Sequence, residues 1–336
     1  MTHHILLLFG GESSEHEVSL RSARTIADAL ADTPHHVSYG YIDQQGAWWL
    51  ADEAAPPAKR RHLQPLLGQG AFQLDNPQEI LKPTLLFPVL HGQRGEDGTV
   101  QGLAELLHLP CIGPSVLSAA VTMEKDMTKR LAAAAGVPVV PWRVYRGEPY
   151  PTYAELETAL GPTCFVKPSR AGSSVGVHKV HSADELAPAL TDALRYDTTV
   201  LIEQAVNARE IELAVRGSGS QIVVSGAGEI MPGEEFYSYD DKYSGDSASQ
   251  TAIPAALPAA TLATLQDYAR RAYQATNGHG MARVDFFLDE QGRIFLNEIN
   301  SIPGFTSISM YPKLWQAAGV TTTALVEQLI ADATAK

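Results

Sequence analysis

The chain has 336 residues, of which 45% are hydrophobic and 19% are charged, and its formal net charge at pH 7 is −13. This length exceeds one comfortable hydrophobic core and predicts two or three domains of an ordinary globular protein. The acidic balance argues against nucleic acid or an anionic membrane as the main partner. No apolar run approaches the roughly 18 residues of a transmembrane helix.

The cysteine usage points to a reducing compartment. Cys111 and Cys164 lack the CxxC spacing of metal or redox motifs and are expected to be free thiols. The N-terminus leads directly into a strand and shows no charged region or cleavage site of a signal peptide. We therefore expect a cytoplasmic protein.

The first 120 residues alternate between strands and helices. Buried strands are predicted at 5–9, 36–42 and 84–90, a hairpin at 43–50, and an irregular surface insertion at 51–82. The pattern favours an open, mostly parallel α/β sheet whose ligands bind at the carboxyl ends of the strands. A helix is expected to start at Ser13 or Ser14. Its amino end could bind an anion, and Glu15 could pair with an ammonium group, although an ordinary strand–helix turn explains these residues equally well.

The middle of the chain carries a glycine-rich loop between two strands. A helix predicted over 119–135 carries Lys125 and Lys129, and the loop itself reads Lys167-Pro-Ser-Arg-Ala-Gly-Ser-Ser-Val-Gly176. Its glycines, backbone N–H groups and serines could hold phosphate oxygens, with a lysine as a point charge, but a plain hairpin remains an alternative. The strand at 200–203 ends in Glu203, and Glu210 opens the next strand.

The last third contains a hairpin with an acidic face. Apolar residues alternate along 281–288, and the predicted pairing places Arg283 opposite Glu298 and Asp285 opposite Leu296. Two carboxylates and the amide of Asn300 then form an all-oxygen set suited to Mg²⁺ or Mn²⁺. A solvated polar hairpin is the alternative. The polar, aromatic stretch 233–245 is expected to be a long loop of the kind that covers active sites.

The order of these motifs resembles one enzyme family. A strand–GGxSxEHxVS–helix segment is followed by KPSxxGSSxGV, YDxKY and RVDxFL…NEINxxPGFT, spanning residues 5 to about 315. This arrangement is similar to the ATP-grasp superfamily and, within it, to the D-alanine–D-alanine ligases. The resemblance implies an α/β chain with an N-terminal parallel α/β (pre-ATP-grasp), substrate-binding domain (1–121) and two α+β domains forming an ATP-grasp fold. These are a central domain with the glycine-rich flap (122–212) and a C-terminal domain with the lid loop and metal site (213–336).

The same resemblance implies where ATP and its metal ions bind. Residues matched to ATP binding are Lys125, Lys167, Ser173, Ser174, Glu203, Glu210 and Lys242. Residues matched to two Mg²⁺ or Mn²⁺ ions are Asp285, Glu298 and Asn300.

The resemblance also implies substrate and catalytic roles. Glu15 matches the residue that binds the ammonium group of the first D-alanine, and Ser173 and Tyr243 complete a hydrogen-bonded set with it. Arg283 and the Gly304 N–H match the two groups that stabilise the oxyanion. Residues matched to the substrate pocket are Glu15, His91, Ser309 and Met310, with Ser309 near the start of the last helix.

The implied reaction joins two D-alanines through a D-alanyl phosphate, with release of ADP and phosphate, for peptidoglycan precursors. The implied partners are D-alanine and ATP, in a homodimer without nucleic acid or membrane. One alternative is a depsipeptide ligase that uses D-lactate, which Tyr243 argues against because those enzymes replace the lid tyrosine. The other is a catalytically silent nucleotide sensor, which the complete set of lysines and metal ligands argues against.

Overall fold

The fold of the first unit is built around the buried strand β1. The computed structural model describes residues 1–231 and 250–335. In chain order the first unit contains β1 (His4–Gly10), α1 (His16–Ala31), β2 (His36–Ile42), β3 (Trp48–Ala51), β4 (Arg61–His62), β5 (Gln64–Leu66), β6 (Ala71–Gln73), β7 (Ile80–Leu81), β8 (Leu85–Pro88), α2 (Thr99–Leu107) and α3 (Val116–Met123). Five of these strands form one sheet in the order β4-β3-β2-β1-β8.

Two of the four strand pairs in this sheet are parallel and two are antiparallel. Strand β1 pairs in parallel with β2 and β8, whereas β2–β3 and β3–β4 are antiparallel. Gly10 ends β1 at φ +92°, where a Cβ atom would lie 2.2 Å from the carbonyl oxygen of Ile42. Only glycine allows this exit, which turns the chain into α1 beside the carboxyl ends of the strands.

The predicted irregular insertion at 51–82 is wrong in part. It contains β4 and a small separate sheet, β5-β6-β7, which buries Phe72 completely against the first unit. These strands are only two or three residues long, and Gly68 and Gly70 lie in the turn between β5 and β6. Segments so short carry no readable alternation, so the sequence pattern could not reveal them.

The second unit is an antiparallel sheet covered by helices. It contains α4 (Lys125–Ala134), β9 (Trp142–Tyr145), α5 (Tyr153–Leu160), β10 (Cys164–Pro168), β11 (His178–Val180), α6 (Ala183–Ala193) and β12 (Val200–Gln204). The strand order is β11-β10-β12-β9, and α5 and α6 share a core with this sheet. The single helix predicted over 119–135 is broken, because Glu124 is extended (φ −87°, ψ 95°) between α3 and α4. The break makes Lys125 the first residue of α4.

The third unit holds the polar hairpin. It contains β13 (Ala208–Arg216), a 3₁₀ turn (Gly219–Gln221), β14 (Val223–Met231), β15 (Gln250–Ala252), α7 (Ala259–Ala275), β16 (Met281–Asp289), β17 (Ile294–Asn300), α8 (Met310–Ala317) and α9 (Thr322–Thr334). Its sheet has the order β15-β14-β13-β16-β17, all antiparallel. Strand β13 runs through the domain boundary predicted after Glu212. The division into three domains with those bounds stays a prediction.

The hydrophobic cores show which units are joined. One core combines α1 and β1 with α8, α9 and residues of the third sheet such as Ala214 and Met281. A second core packs α4 and α7 against the other face of that sheet. Helices α8 and α9 replace the single last helix expected from the sequence. Within residues 1–231 and 250–335, every helix is too short or too polar to cross a bilayer.

Candidate active site

A cavity of about 640 Å³ lies where the three units meet. Its walls come from the start of α1, the loop after β8, the glycine-rich loop, strands β13, β16 and β17, and residues 301–313. The volume suits a nucleotide tail with small substrates rather than a macromolecule. Of the predicted site residues, the cavity is lined by Glu15, His91, Lys125, Ser173, Glu210, Arg283, Asp285, Glu298, Asn300, Gly304, Ser309 and Met310.

The acidic hairpin forms as expected, but its predicted register is wrong. Arg283 lies opposite Asn300, and Asp285 lies opposite Glu298, because Asn297 is an extra residue in β17. This bulge lets Leu296 and Ile299 both enter the core while the polar side chains between them face the cavity. The acidic side chains therefore lie together on the cavity side of the hairpin, although the register differs from the predicted one.

The carboxylate of Asp285 is held by two neighbours. Arg283 donates to both of its oxygens at 2.8 Å, and Asn300 Nδ2 donates to Oδ2 at 3.0 Å. Arg283 Nε also lies 3.0 Å from Glu212 on the adjacent strand β13. Burial opposes the charge of Arg283, but the two carboxylates outweigh it and keep the pKa of Arg283 well above its ordinary value. Sequence reasoning missed Glu212, although its spacing of two from Glu210 in a strand was the available signal.

The donor set on this hairpin fits a hard divalent cation. Asp285, Glu298 and Asn300 present carboxylate and amide oxygens to the cavity. In the described part of the chain, no group of three His, Cys, Asp or Glu side chains is arranged to hold a metal ion. Two carboxylates and an amide suit Mg²⁺ or Mn²⁺ that keeps water and phosphate oxygens in its remaining positions.

Lys125 connects the glycine-rich loop to the hairpin. Its ammonium group donates to the carbonyl oxygen of Ala171 at 2.8 Å and lies 3.5 Å from Glu298 Oε2. The lysine is mostly buried, so its charge acts inside the cavity rather than in bulk water. It is placed there by the break before α4.

Lys167 belongs to a buried row of three charges. Glu203 lies between Lys167 Nζ at 2.8 Å and Lys129 Nζ at 3.0 Å, and Lys129 is completely buried. Burial disfavours the charge on Glu203, but the two lysines outweigh this and lower its pKa. Burial lowers the pKa of Lys129. Sequence reasoning noted Lys129 only as a helix residue, because its pairing with Glu203 depends on tertiary packing.

The tip of the glycine-rich loop reaches the first unit. Ser173 Oγ donates a 2.5 Å hydrogen bond to Glu15, the residue that precedes α1. Ser173 and Ser174 adopt consecutive left-handed conformations (φ +51° and +61°), which are strained for residues other than glycine. Such strain is typical of a loop shaped for a ligand. Tyr243 and Lys242, with the rest of the predicted lid at 233–245, lie outside the described residues.

A short segment at 302–305 carries Gly304 and is anchored to the loop after β8. His91 Nδ1 donates to the carbonyl oxygen of Ile302 at 3.0 Å, and Glu96 accepts from the N–H groups of Ile302 (3.1 Å) and Gly92 (2.7 Å). Burial lowers the pKa of His91, which favours the neutral ring. Burial, with Glu15 nearby, raises the pKa of Glu96 to about 8. Sequence reasoning missed Glu96, although it stands in the polar run after a buried strand where site residues are common.

Ser309 contacts the same segment from its C-terminal side. It precedes α8, and its Oγ accepts from the N–H of Thr306 at 3.0 Å. A Cβ atom at Gly304 would lie 2.8 Å from that oxygen, so glycine lets the segment approach the helix start closely. Met310 is buried as the first residue of α8.

Two family models and several curated proteins match this chain over most of its length. The protein-family model described as "D-ala D-ala ligase N-terminus" matches residues 4–114, and the family model described as "D-ala D-ala ligase C-terminus" matches residues 131–331. The D-alanine–D-alanine ligase of Sodalis glossinidius is 46% identical, over 97% of this chain and 93% of that protein. The D-alanine–D-alanine ligase of Heliobacterium modesticaldum is 42% identical, over 98% of this chain and 94% of that protein.

Solved structures show the same fold. The D-alanine–D-alanine ligase from Coxiella burnetii superposes with a TM-score of 0.89 at 36% identity, over 99% of this chain and 94% of that chain. The VanG D-Ala:D-Ser ligase from Enterococcus faecalis also gives 0.89, at 32% identity, over 99% of this chain and all of that one. The expected ATP-grasp architecture is thus confirmed. The chain belongs to the D-alanine–D-alanine ligase family.

Proposed function

We propose that this chain is an ATP-dependent ligase that joins two D-alanines to D-alanyl-D-alanine, as a step in making peptidoglycan precursors. The single observation that carries the proposal is the cavity itself. Its lining includes the carboxylate of Glu15, to which we assign the ammonium group of a substrate, and the Arg283–Asp285 pair with Glu298. A small amino acid with a phosphorylated carboxylate would be bound at both of its ends.

The reaction needs activation because a carboxylate does not acylate an amine in neutral water. The carboxylate oxygen of the first D-alanine takes the γ-phosphoryl group of ATP, which gives an acyl phosphate and ADP. The amine of the second D-alanine then attacks the carbonyl carbon, loses a proton, and phosphate leaves through a tetrahedral intermediate. The residues of this chain must therefore bind anions, orient two substrates and exclude water.

The phosphates are assigned to Lys125 and Lys167. Both ammonium groups are mostly buried and are already oriented by Glu298 and Glu203. Such fixed charges cost little reorganisation when a phosphate group binds. Ser173 and Ser174 add donors at the tip of the glycine-rich loop, and Glu203, Glu210 and Lys242 are assigned to the nucleotide.

Two Mg²⁺ or Mn²⁺ ions are assigned to Asp285, Glu298 and Asn300. When bound, such ions offset the charge of the phosphates and of the carboxylate that approaches them. The chain itself contributes Arg283, whose charge lies beside Asp285 and is available to the developing oxyanion. The Gly304 N–H is the second proposed donor to that oxygen, and removing one such donor typically costs about 10²–10³ in rate.

The two substrates are assigned to different residues of the cavity lining. Glu15 binds the ammonium group of the first D-alanine, with Ser173 and Tyr243 as its partners, and His91 lies near this substrate. Ser309 holds the carboxylate of the second, helped by the amino end of α8 and bordered by Met310. The lid at 233–245 is proposed to shield the acyl phosphate from water.

Product analysis tests the proposal. The purified chain is incubated with ATP, Mg²⁺ and D-alanine, with and without D-serine or D-lactate, and the products are identified by mass spectrometry. We expect D-alanyl-D-alanine to dominate in every mixture at pH 7. Predominant D-alanyl-D-serine, which the similarity to the VanG ligase makes the relevant competitor, or predominant depsipeptide would overturn the choice of second substrate.

A phosphate-release assay separates the enzyme from a silent sensor. D-alanine should stimulate ADP formation many-fold, because phosphoryl transfer needs an acceptor carboxylate. Equal rates with and without D-alanine would favour a nucleotide sensor. A cytoplasmic homodimer without nucleic acid or membrane partners is proposed in addition, and light scattering on the purified chain tests the dimer.

A further inference from the structure

Ser22 joins three parts of the molecule at one hydroxyl group. It lies in the middle of α1 and is completely buried. Its Oγ accepts a hydrogen bond from the N–H of Phe305 at 3.0 Å and lies 3.4 Å from His91 Nε2. A side chain of the first unit thus bonds to the segment that carries Gly304 in the third unit.

The chemistry of the neighbours fixes the direction of each hydrogen bond. His91 Nδ1 faces the carbonyl oxygen of Ile302, which can only accept, so Nδ1 carries the proton. In the neutral ring Nε2 then has a lone pair and must accept from Ser22. The Ser22 oxygen in turn accepts from the N–H of Phe305, because a backbone amide can only donate. One arrangement of protons satisfies all three bonds.

Loss of this hydroxyl would leave two buried polar groups without their partner. The N–H of Phe305 and Nε2 of His91 are both shielded from water, since Phe305 is completely buried and His91 is 5% exposed. Uncompensated buried groups drive local rearrangement. The N–H of Phe305 belongs to the 302–305 segment, which carries Gly304, the proposed oxyanion donor, and leads to the start of α8.

We propose that Ser22 is a positioning residue for the ligase reaction: its hydroxyl bonds to Nε2 of His91 and holds the 302–305 segment in the place that aims the Gly304 N–H. Its kinetic consequences rest on the proposed function. Its consequence for His91 does not, because it follows from the hydrogen bonds of the neutral ring.

Kinetics of matched serine variants test the first consequence. Ser22→Ala should lower kcat about tenfold or more and raise KM for D-alanine, because small displacements of reacting groups are costly. KM for ATP should stay within about twofold, since Ser22 contacts neither the lysines nor the hairpin. Ser22→Thr, which keeps the hydroxyl, should recover most of the loss.

Ser225→Ala is the control for the loss of a buried hydroxyl. Ser225 is 3% exposed, accepts from the N–H of Ala214 at 2.9 Å and lies in β14 outside the cavity lining. The Ser225→Ala variant should lose thermal stability as Ser22→Ala does, but it should keep the wild-type kcat and the wild-type KM values for D-alanine and ATP. Identical kinetic constants for Ser22→Ala and Ser225→Ala would overturn the proposal.

Nitrogen NMR of His91 tests the second consequence without any turnover. In the wild-type protein at pH 7, Nδ1 should be protonated and Nε2 should not be. In Ser22→Ala the Nε2 resonance should move towards that of an unbonded lone pair. A wild-type spectrum with the proton on Nε2 would disprove the arrangement, even if Ser22→Ala did not fold. If the wild type joined no D-alanine but showed the expected spectrum, the proposed function would fail and the hydrogen-bond arrangement would stand.

Discussion

Ser173 and Glu15 are 158 positions apart in the chain, yet their side chains are joined by a 2.5 Å hydrogen bond. The bond closes the glycine-rich loop over the first unit. It also leaves the carboxylate of Glu15 oriented towards the cavity, where an ammonium group would meet it.

Glu15→Gln should raise KM for D-alanine at least tenfold while KM for ATP changes less than twofold. The substitution removes the charge that faces the ammonium group but keeps an oxygen for Ser173. Initial-rate measurements with each substrate varied in turn give both constants. Glu17→Gln removes an equivalent charge from an exposed position of the same helical turn and should leave both unchanged. Equal effects of the two substitutions would contradict the assignment of Glu15.

Glu298→Gln and Asp285→Asn should each reduce turnover to below about 1% of wild type, because each removes a carboxylate ligand of the proposed metal ions. Asp285→Asn should in addition lower stability by about 1–3 kcal/mol, since Asp285 carries the bidentate bond to Arg283. Dipeptide formation, thermal unfolding and Mn²⁺ binding by electron paramagnetic resonance are the measurements. Normal Mn²⁺ affinity in both variants would show that the metal face lies elsewhere.

Lys129→Met should destabilise the protein by about 3–5 kcal/mol, the usual cost of removing one partner of a buried ion pair. The lysine is completely buried and its loss leaves Glu203 with Lys167 alone. Urea unfolding measures the change. The double variant Lys129→Met/Glu203→Gln should recover part of the loss, because no uncompensated carboxylate remains. If the double variant loses as much free energy of unfolding as the two single variants together, Lys129 and Glu203 are not coupled.

Stability should fall as pH rises from about 4.5 towards 8 because of Glu96. Its pKa is about 8 in the folded protein and near 4.5 when exposed, so the folded chain holds a proton that the unfolded chain has released. Folding therefore takes up a proton in this window, and the stabilising contribution is complete below pH 4.5 and lost towards pH 8. Glu96→Gln should flatten this part of the curve in urea unfolding at pH 5, 6.5 and 8. An unchanged slope would show that Glu96 is ionised when folded.

The alternating apolar residues of β16 are visible in the sequence, and the strand forms as predicted. The register of its partner is not visible, because the bulge at Asn297 has no marking glycine or turn residue and arises from the need to bury both Leu296 and Ile299. A two-residue periodicity can therefore identify the acidic face but not the opposing pairs.

The residues that the sequence did not reveal share one property. Ser22, Glu96, Lys129 and Glu212 act through partners that are distant in the chain or on a neighbouring strand. Local patterns describe which face a residue occupies, whereas these roles depend on how separate units pack. The motif order therefore predicted most of the site residues that line the cavity but missed Glu96 and Glu212, which also line it.

The shared core of α1, α8 and α9 fixes the first unit to the third, whereas the sheet of β9–β12 has a core of its own. The Ser173–Glu15 hydrogen bond at the tip of the glycine-rich loop therefore ties this separately packed sheet to the first unit. A variant that lacks the Ser173 hydroxyl would lose that tie while both hydrophobic cores stay intact.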